Sequence, residues 1–306
     1  MKKTLITTGI LLILLGIVYT YRVDIANIFN KYVINNIIRT NKVVTLNNKN
    51  SYYRNYDYNF VKQTASFSPK DSDDLINIYY TVINAGEKEF TFYCPKEYDS
   101  CLSDVKVLAN DQNTLSHINN FVHPYNSFTH IETEYDSFGK IKIHINKTYT
   151  DEEIKKIDEK VDEIISSIIK DDMSLKDKIK AFHDYIIEHS KYDTDRSDKN
   201  IIKYKSDTAY GTLFEGYSLC GGYTDTMAIF LNKLDVNNYK VSSDSHVWNA
   251  VELDGIWYHI DLTWDDPVAS DGSDILDHDY FIISTEDLEN KEKTQHVFDK
   301  NIYSEV

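Results

Sequence analysis

A single dipeptide, Asp254-Gly255, most constrains how this chain folds, because it separates two segments in which apolar and polar residues alternate. Asp-Gly is a preferred pair for a two-residue type I′ turn, whose twist matches that of antiparallel strands. The segments 245–253 and 256–263 are therefore predicted to form a hairpin in which Leu253 faces Ile256 and Val251 faces Tyr258. The fold must then contain an antiparallel sheet.

The same register sorts the hairpin into two faces, because side chains alternate along a strand. One face is mostly aliphatic and includes Asn249. The other carries His246, Trp248, Trp257, His259 and Asp261. On that face His246 and Asp261 are diagonal neighbours, with Cβ atoms within roughly 7 Å of each other. A carboxylate so placed orients an imidazole and stabilises its positive charge, and the two tryptophans suggest that something covers this face.

Cys220 stands between a loop-like segment, 215–218, and a helical pattern that begins near Tyr223. At a helix N-terminus the macrodipole favours a thiolate over a thiol. Gly221 and Gly222 leave room for a substrate backbone to approach the sulfur. The competing interpretation is a small buried apolar residue, which is how most lone cysteines behave.

A metal site built from Cys220, His246, His259 and Asp261 is the alternative use of the same residues. The register places His259 opposite Ala250, four residues along the strand from His246, so about 13 Å separates the two histidines. At that separation they do not share one ion. Neither a metal nor another cofactor is predicted.

Three sequence blocks, in this order, resemble the transglutaminase-like superfamily in its bacterial, papain-like Cys-His-Asp branch. They are Ala209-Tyr210-Gly211-Thr212-Leu213 leading to Cys220-Gly221-Gly222-Tyr223, then His246-Val247-Trp248-Asn249, then Trp257-Tyr258-His259-Ile260-Asp261-Leu262-Thr263-Trp264-Asp265-Asp266-Pro267. The resemblance leaves residues 22–150 uncovered.

The resemblance implies that Cys220 is the nucleophile, His246 the general base and later the general acid, and Asp261 the residue that orients His246. It also implies an α+β fold in which a cysteine-bearing helix packs on an antiparallel sheet. The expected oxyanion donors are the Cys220 backbone N–H and one further group, for which Tyr210 is a candidate. The predicted substrate groove is lined by Gly221, Gly222, Trp248 and Trp257.

At the N-terminus, eighteen residues from Thr4 to Tyr21 carry no charge and lie between Lys2-Lys3 and Arg22. This length is just enough to span a bilayer, and no small-residue cleavage site follows it. We predict an uncleaved transmembrane signal anchor at 1–22, with the lysines in the cytoplasm and the rest of the chain outside the cell. A stalk at 23–50 follows the anchor.

The remainder is predicted to form a Tyr-rich, β-containing domain at 51–150 and the transglutaminase-like catalytic domain at 151–306. In the first, the segment from Ile76 to Val82 alternates like a strand, and 129–133 is predicted to pair with 141–145 as a hairpin. In the second, apolar spacing predicts helices at 151–170 and from Ser174 onward.

The three cysteines also bear on the compartment. Outside the cell Cys94 and Cys101 are expected to close a small disulfide loop, with two free thiols as the alternative. If those two pair, Cys220 is left as the odd thiol, and an unpaired extracellular cysteine calls for a functional reason.

A net charge of −16 argues against a nucleic acid partner. The expected partner is a protein or peptide amide substrate at the cell surface, reached from the membrane of a bacterium of the Gram-positive type. A catalytically idle binding scaffold is the alternative, although such scaffolds typically lack a triad residue. A sortase-like transpeptidase needs an arginine after the cysteine, and no arginine follows Arg196. A papain-like wall endopeptidase is a minor alternative, and the choice between hydrolysis and amine transfer is open.

Overall fold

The computed structural model describes residues 19–29, 44–46, 48–268 and 275–306. Its helices in chain order are α1 (Arg22–Phe29), α2 (Ser72–Asn84), α3 (Cys101–Asn110), α4 (Gln112–Asn120), α5 (Asp151–Ile168), α6 (Leu175–His189), α7 (Thr194–Lys199), α8 (Cys220–Lys233), α9 (Leu262–Asp265) and α10 (Thr285–Lys291). Its strands are β1 (Glu89–Tyr93), β2 (Phe128–Tyr135), β3 (Lys140–Lys147), β4 (Lys191–Tyr192), β5 (Tyr217–Ser218), β6 (Asn238–Ser242), β7 (Val247–Leu253), β8 (Ile256–Ile260) and β9 (Phe281–Ile283). Single turns of 3₁₀ and π helix lie at Pro124–Asn126 and Gly211–Glu215.

The predicted membrane anchor falls mainly on residues 1–18, which lie outside the described residues. The predicted stalk is described only in part, where α1 and a few residues before position 51 are placed. Within the described ranges, no helix has the length and apolar character needed to cross a bilayer.

The C-terminal sheet has the strand order β6-β7-β8-β9, and every neighbouring pair is antiparallel. The predicted hairpin register is confirmed, because Leu253 pairs with Ile256 and Val251 with Tyr258. Asp254 and Gly255 both have positive φ, at 53° and 78°, as a type I′ turn requires.

Helix α8 packs on the aliphatic face of this sheet. The resemblance implied that such a helix packs on the sheet and left the face open. Val251 and Ile260 share a buried cluster with residues of α8, including Phe230. Phe230 stacks on Phe182 of α6 with ring centroids 3.8 Å apart. At the polar position of the face, the Asn249 side chain donates to the Thr224 carbonyl at 3.0 Å. The fold therefore combines a cysteine-bearing helix with an antiparallel sheet in a mixed α/β arrangement.

The opposite face of the sheet is covered by residues from the N-terminal half of the chain. Tyr239 on β6 packs against Tyr58 and Phe121, with ring centroids 5.4 and 5.0 Å apart. The Arg54 guanidinium donates to the Asn238 carbonyl at 2.8 Å. The hydrophobic core is thus continuous across the domain boundary predicted at 150.

Within 51–150, the sheet has the order β1-β3-β2, and the predicted pairing of 129–133 with 141–145 is confirmed. The strand predicted from Ile76 to Val82 is wrong, because these residues lie in α2. Asp71 caps this helix by accepting from the Asp74 backbone N–H. Helix α2 is buried on several sides, so apolar residues occur at almost every spacing and imitate the alternation of a strand.

The two helices predicted after residue 150 are confirmed. Thr150 and Glu153 form a reciprocal capping box at the start of α5. Ser174 caps α6 through the Asp177 backbone N–H at 3.2 Å. Because each cap satisfies backbone donors that have no helical acceptor, it fixes where its helix begins.

The structure joins Cys94 and Cys101 in a disulfide with Cα atoms 5.7 Å apart. Cys220 is left as the free thiol.

Candidate active site

Cys220 is placed at the first residue of α8 by the strand that precedes it. Strand β5 pairs in parallel with β4, so Tyr192 lies beside Ser218, two residues before the cysteine. The Leu219 backbone N–H donates to the Ser206 carbonyl at 2.8 Å and fixes the entry to the helix. The backbone N–H groups of the first helical turn have no acceptor within the helix. A partly exposed sulfur thus lies beside unsatisfied backbone donors.

The two glycines after Cys220 allow the backbone of segment 206–207 to lie close to α8. A Cβ on buried Gly222 would lie 2.3 Å from the Ser206 carbonyl oxygen and 2.6 Å from the Ser218 hydroxyl. A Cβ on Gly221 would lie 3.0 Å from the Asp207 carbonyl oxygen. Gly222 is therefore not a groove residue, because segment 206–207 occupies the space it leaves. Gly221 is partly exposed, and its place in a groove stays a prediction.

His246 and Asp261 meet because they flank the paired strands. His246 directly precedes β7 and Asp261 directly follows β8, where it caps α9. The His246 Nε2 atom lies 2.5 Å from the Asp261 Oδ2 atom. The other carboxylate oxygen accepts from the backbone N–H groups of Thr263 and Trp264, at 2.9 and 3.3 Å. Both side chains are buried. The diagonal contact expected from register is present.

The electrostatics of the site favour the ionised forms of this pair. Burial by itself lowers the pKa of His246, but the charge and hydrogen bond of Asp261 and the hydrogen bond with Cys220 outweigh it and raise this pKa to about 10. Burial acts to raise the pKa of Asp261, but His246 and the hydrogen bonds it receives hold this pKa well below its usual range. With Nε2 committed to Asp261, the other ring nitrogen of His246 is left for Cys220. His246 is therefore coupled electrostatically to Cys220 on one side and hydrogen-bonded to Asp261 on the other.

A second histidine, His296, contacts the same carboxylate and was not predicted. Its Nε2 atom lies 2.8 Å from the Asp261 Oδ2 atom. His296 is buried in a segment without regular structure after α10. No periodicity, turn signal or motif marks this residue, so its position depends entirely on tertiary packing.

Of the two tryptophans expected in a substrate groove, Trp248 is buried and Trp257 is partly buried. Trp248 is fully buried, at 0% exposure, and its indole N–H donates to the His259 Nδ1 atom at 2.9 Å. Its ring stacks beside His246 with centroids 5.6 Å apart. Trp257 packs against Tyr56 and Tyr239. The groove prediction is wrong for Trp248, which supports His246 from behind, and Trp257 contacts the N-terminal half of the chain.

His259 does not join Cys220, His246 and Asp261 in a metal site. Its Nδ1 atom accepts from Trp248, so its Nε2 atom carries the proton and donates to the Thr285 hydroxyl at 3.0 Å. Burial is the largest cause that lowers the pKa of His259, to about 3. This ring is a neutral core histidine.

The oxyanion candidate Tyr210 directly precedes the π turn at Gly211–Glu215. Its ring packs on Phe214 with centroids 4.9 Å apart, and the Lys205 ammonium lies 5.2 Å from its centroid. Tyr192 interacts electrostatically with the site. Burial raises the pKa of Tyr192, and the nearby charges of Cys220 and Asp261 raise it further.

A second cluster of titratable groups joins α6 to the segment around α9. Two histidines approach Asp184 Oδ1, His183 through Nδ1 at 3.0 Å and His278 through Nε2 at 2.7 Å. His183 also contacts buried Asp265 through Nε2, at 3.1 Å. Lys180 pairs with the other oxygen of Asp184, and its positive charge disfavours a cation there. Two such groups, this one and His246-Asp261-His296, bring three potential metal ligands together among the described residues.

A comparison with protein families matches the part of the chain that contains the site. Residues 162–262 match the family model of the transglutaminase-like superfamily. A crystal structure of a TGase is 19% identical with a TM-score of 0.34, and the match covers 45% of this chain and 44% of that chain. A protein from Cytophaga hutchinsonii, described provisionally as a cysteine protease, is 12% identical with a TM-score of 0.28, covering 50% of this chain and 68% of that chain.

TM-scores this low do not establish a common overall fold, and this chain spans less than half of the TGase that it matches. No curated protein matches the sequence. The family match, which includes Cys220, His246 and Asp261, is the informative comparison. Residues 162–262 of this chain are therefore similar to the transglutaminase-like superfamily.

Proposed function

We propose that this protein is an extracytoplasmic thiol enzyme that acts on amide bonds of surface proteins or cell-wall peptides through an acyl thioester at Cys220. The observation that carries the proposal is the 2.5 Å contact of His246 with Asp261, together with the electrostatic coupling of His246 to Cys220. A partly exposed sulfur next to a protonated imidazole at a helix N-terminus is the arrangement in which a cysteine is a nucleophile at neutral pH.

The proposed reaction begins when the Cys220 thiolate attacks the amide carbonyl carbon and the carbonyl electron pair moves to oxygen. The first-turn backbone N–H groups of α8 stabilise this oxyanion, and Tyr210 is the candidate for a further donor. The C–N bond then breaks, and the His246 imidazolium gives its proton to the leaving amine. In the second half, neutral His246 takes a proton from the attacking water or amine as the thioester opens, and the thiolate is restored.

Hydrolysis and transfer differ only in the group that opens the thioester. Incubating the chain with a glutamine-containing peptide and a fluorescent primary amine distinguishes them. A transferase incorporates the amine into the peptide, whereas a hydrolase releases ammonia or a shortened peptide at the same rate with and without the amine.

The proposed location is the outer face of a cell membrane, with residues 1–22 as anchor. The disulfide between Cys94 and Cys101 supports an oxidising compartment, because such bonds are rare in a reducing cytosol. Labelling of Cys220 in intact cells by a membrane-impermeant thiol reagent tests this location. Labelling only after lysis would contradict it.

The alternative is a catalytically idle scaffold that binds at the cell surface. The two proposals differ in the reactivity of Cys220, which can be read by mass spectrometry as the rate of alkylation against pH. The enzyme proposal predicts fast alkylation below about pH 7 that slows in His246→Ala and Asp261→Ala but not in His130→Ala, an exposed control. If Cys220 instead reacts like a free thiol, near about pH 8.5 in all four proteins, the scaffold is the better account.

A further inference from the structure

We infer that His296 is a positioning residue for the Cys220-His246-Asp261 chain and completes a buried His-Asp-His arrangement. The inference rests on the proposed function. It concerns a residue outside the family match, which ends at residue 262.

The first observation is the hydrogen-bond inventory of Asp261. Oδ2 contacts His246 Nε2 at 2.5 Å and His296 Nε2 at 2.8 Å. Oδ1 accepts from the backbone N–H groups of Thr263 and Trp264. A carboxylate has about four lone-pair sites, so these four donors use all of them. Since Asp261 is ionised and only accepts, His296 Nε2 carries the proton in this contact. Without His296, one site on the oxygen that holds His246 is empty.

The second observation is that His296 is itself held in place. Glu292 Oε2 lies 3.1 Å from its Nδ1 atom, and the same oxygen accepts from the backbone N–H groups of Gln295 and His296, at 2.7 and 2.9 Å. The Tyr280 ring stacks on the imidazole at 5.3 Å, with the planes 15° apart. The Glu292 carboxylate thus holds the backbone of the segment that carries His296. The imidazole cannot rotate away without breaking several contacts.

The third observation is that this contact joins two segments that are distant in the sequence. Asp261 directly follows the hairpin, whereas His296 belongs to the segment after α10, and both are buried. The His296 imidazole lies 4.8 Å from the Trp248 ring, which stacks on His246. The backbone donors therefore hold one oxygen of the Asp261 carboxylate and His296 holds the other. Through this second oxygen, His296 also helps to orient His246.

The test compares two variants of the full chain, His296→Leu, which removes the N–H donor at similar volume, and His296→Gln, whose amide N–H can replace it. Cys220 alkylation near pH 6 is the readout, with His130→Leu as the surface control and circular dichroism as the check on folding. Loss of one charge-assisted hydrogen bond predicts alkylation about 10- to 100-fold slower in His296→Leu. His296→Gln is expected to recover most of the rate.

Three outcomes would be decisive. A folded His296→Leu chain that alkylates like the wild type overturns the inference while the proposed function stands. If both variants are folded and equally slow, the N–H donor is not what matters, and the inference also fails. If wild-type Cys220 is itself unreactive near pH 6, the proposed function fails, and that result is recognisable before any His296 variant is measured.

Discussion

Replacing Asp261 with Asn is expected to remove a pH dependence of stability that His246 provides. The pKa of His246 rises from its ordinary value of 6.5 to about 10 in the folded chain, because Asp261 and Cys220 outweigh the lowering effect of burial. The folded state therefore holds a proton that the unfolded state releases. This stability is fully present below about pH 6.5 and is lost as the pH rises toward 10.

The magnitude follows from that pKa difference. One proton bound only by the folded state gives a slope of about 1.4 kcal/mol per pH unit, and the whole interval corresponds to at most roughly 5 kcal/mol, because Cys220 contributes part of the shift. In Asp261→Asn the charge is gone, and burial, the largest cause acting on His246, lowers its pKa. The slope assigned to His246 should then disappear.

The assay is urea unfolding, followed by tryptophan fluorescence, at several values between about pH 6.5 and pH 9. Both proteins carry Cys220→Ser, because release of the Cys220 thiol proton on folding would offset the proton that His246 binds. Lys147, whose pKa is lowered to about 8, contributes a slope of opposite sign in both proteins, so the difference between wild type and variant isolates His246. The wild type should lose stability relative to Asp261→Asn as pH rises. Parallel curves would refute the reasoning, because they would mean that His246 does not bind its proton more tightly on folding.

Three further substitutions test the packing around the site by the free energy of unfolding. Gly222→Ala should destabilise the fold by about 1–3 kcal/mol, because its Cβ would lie 2.3 Å from the Ser206 carbonyl oxygen, and Gly221→Ala, with 3.0 Å to its nearest atom, should cost less. Equal losses would argue against the placement of segment 206–207. Lys240→Met should cost about 3–5 kcal/mol, because it strands buried Asp225, to which Lys240 donates at 2.9 Å. The exposed pair of Lys156 with Glu152 provides the control Lys156→Met, expected to cost under about 1 kcal/mol, and similar losses in the two variants would contradict the burial argument. Trp248→Phe should cost about 1–3 kcal/mol beyond the lost packing, because it leaves the Nδ1 atom of buried His259 without its donor. A loss no larger than that of Trp257→Phe would count against this role.

The sequence predicted the parts of the site that depend on local rules. Asp254-Gly255 specifies a turn, the turn specifies the register, and the register brings His246 and Asp261 together. The helix at Cys220 follows from apolar spacing. Each of these inferences needs only the backbone geometry of adjacent elements.

The wrong or missing predictions concern residues whose burial and contacts depend on packing against segments distant in the sequence. Trp248 looks available for substrate until residues from the N-terminal half cover its face of the sheet. The segment from Ile76 to Val82 looks like a strand because α2 is buried on several sides. His296 lies thirty-five positions from Asp261 in irregular backbone, so nothing local marks its contact.

The central claim, that Cys220 is a nucleophile held beside a protonated His246, is tested most directly by the ultraviolet absorbance of its thiolate. The signal is the difference between the wild-type chain and Cys220→Ser, followed downward from about pH 9. The account predicts that the thiolate signal persists below about pH 7. Loss of the signal at about pH 8.5, as in an unperturbed thiol, would contradict it.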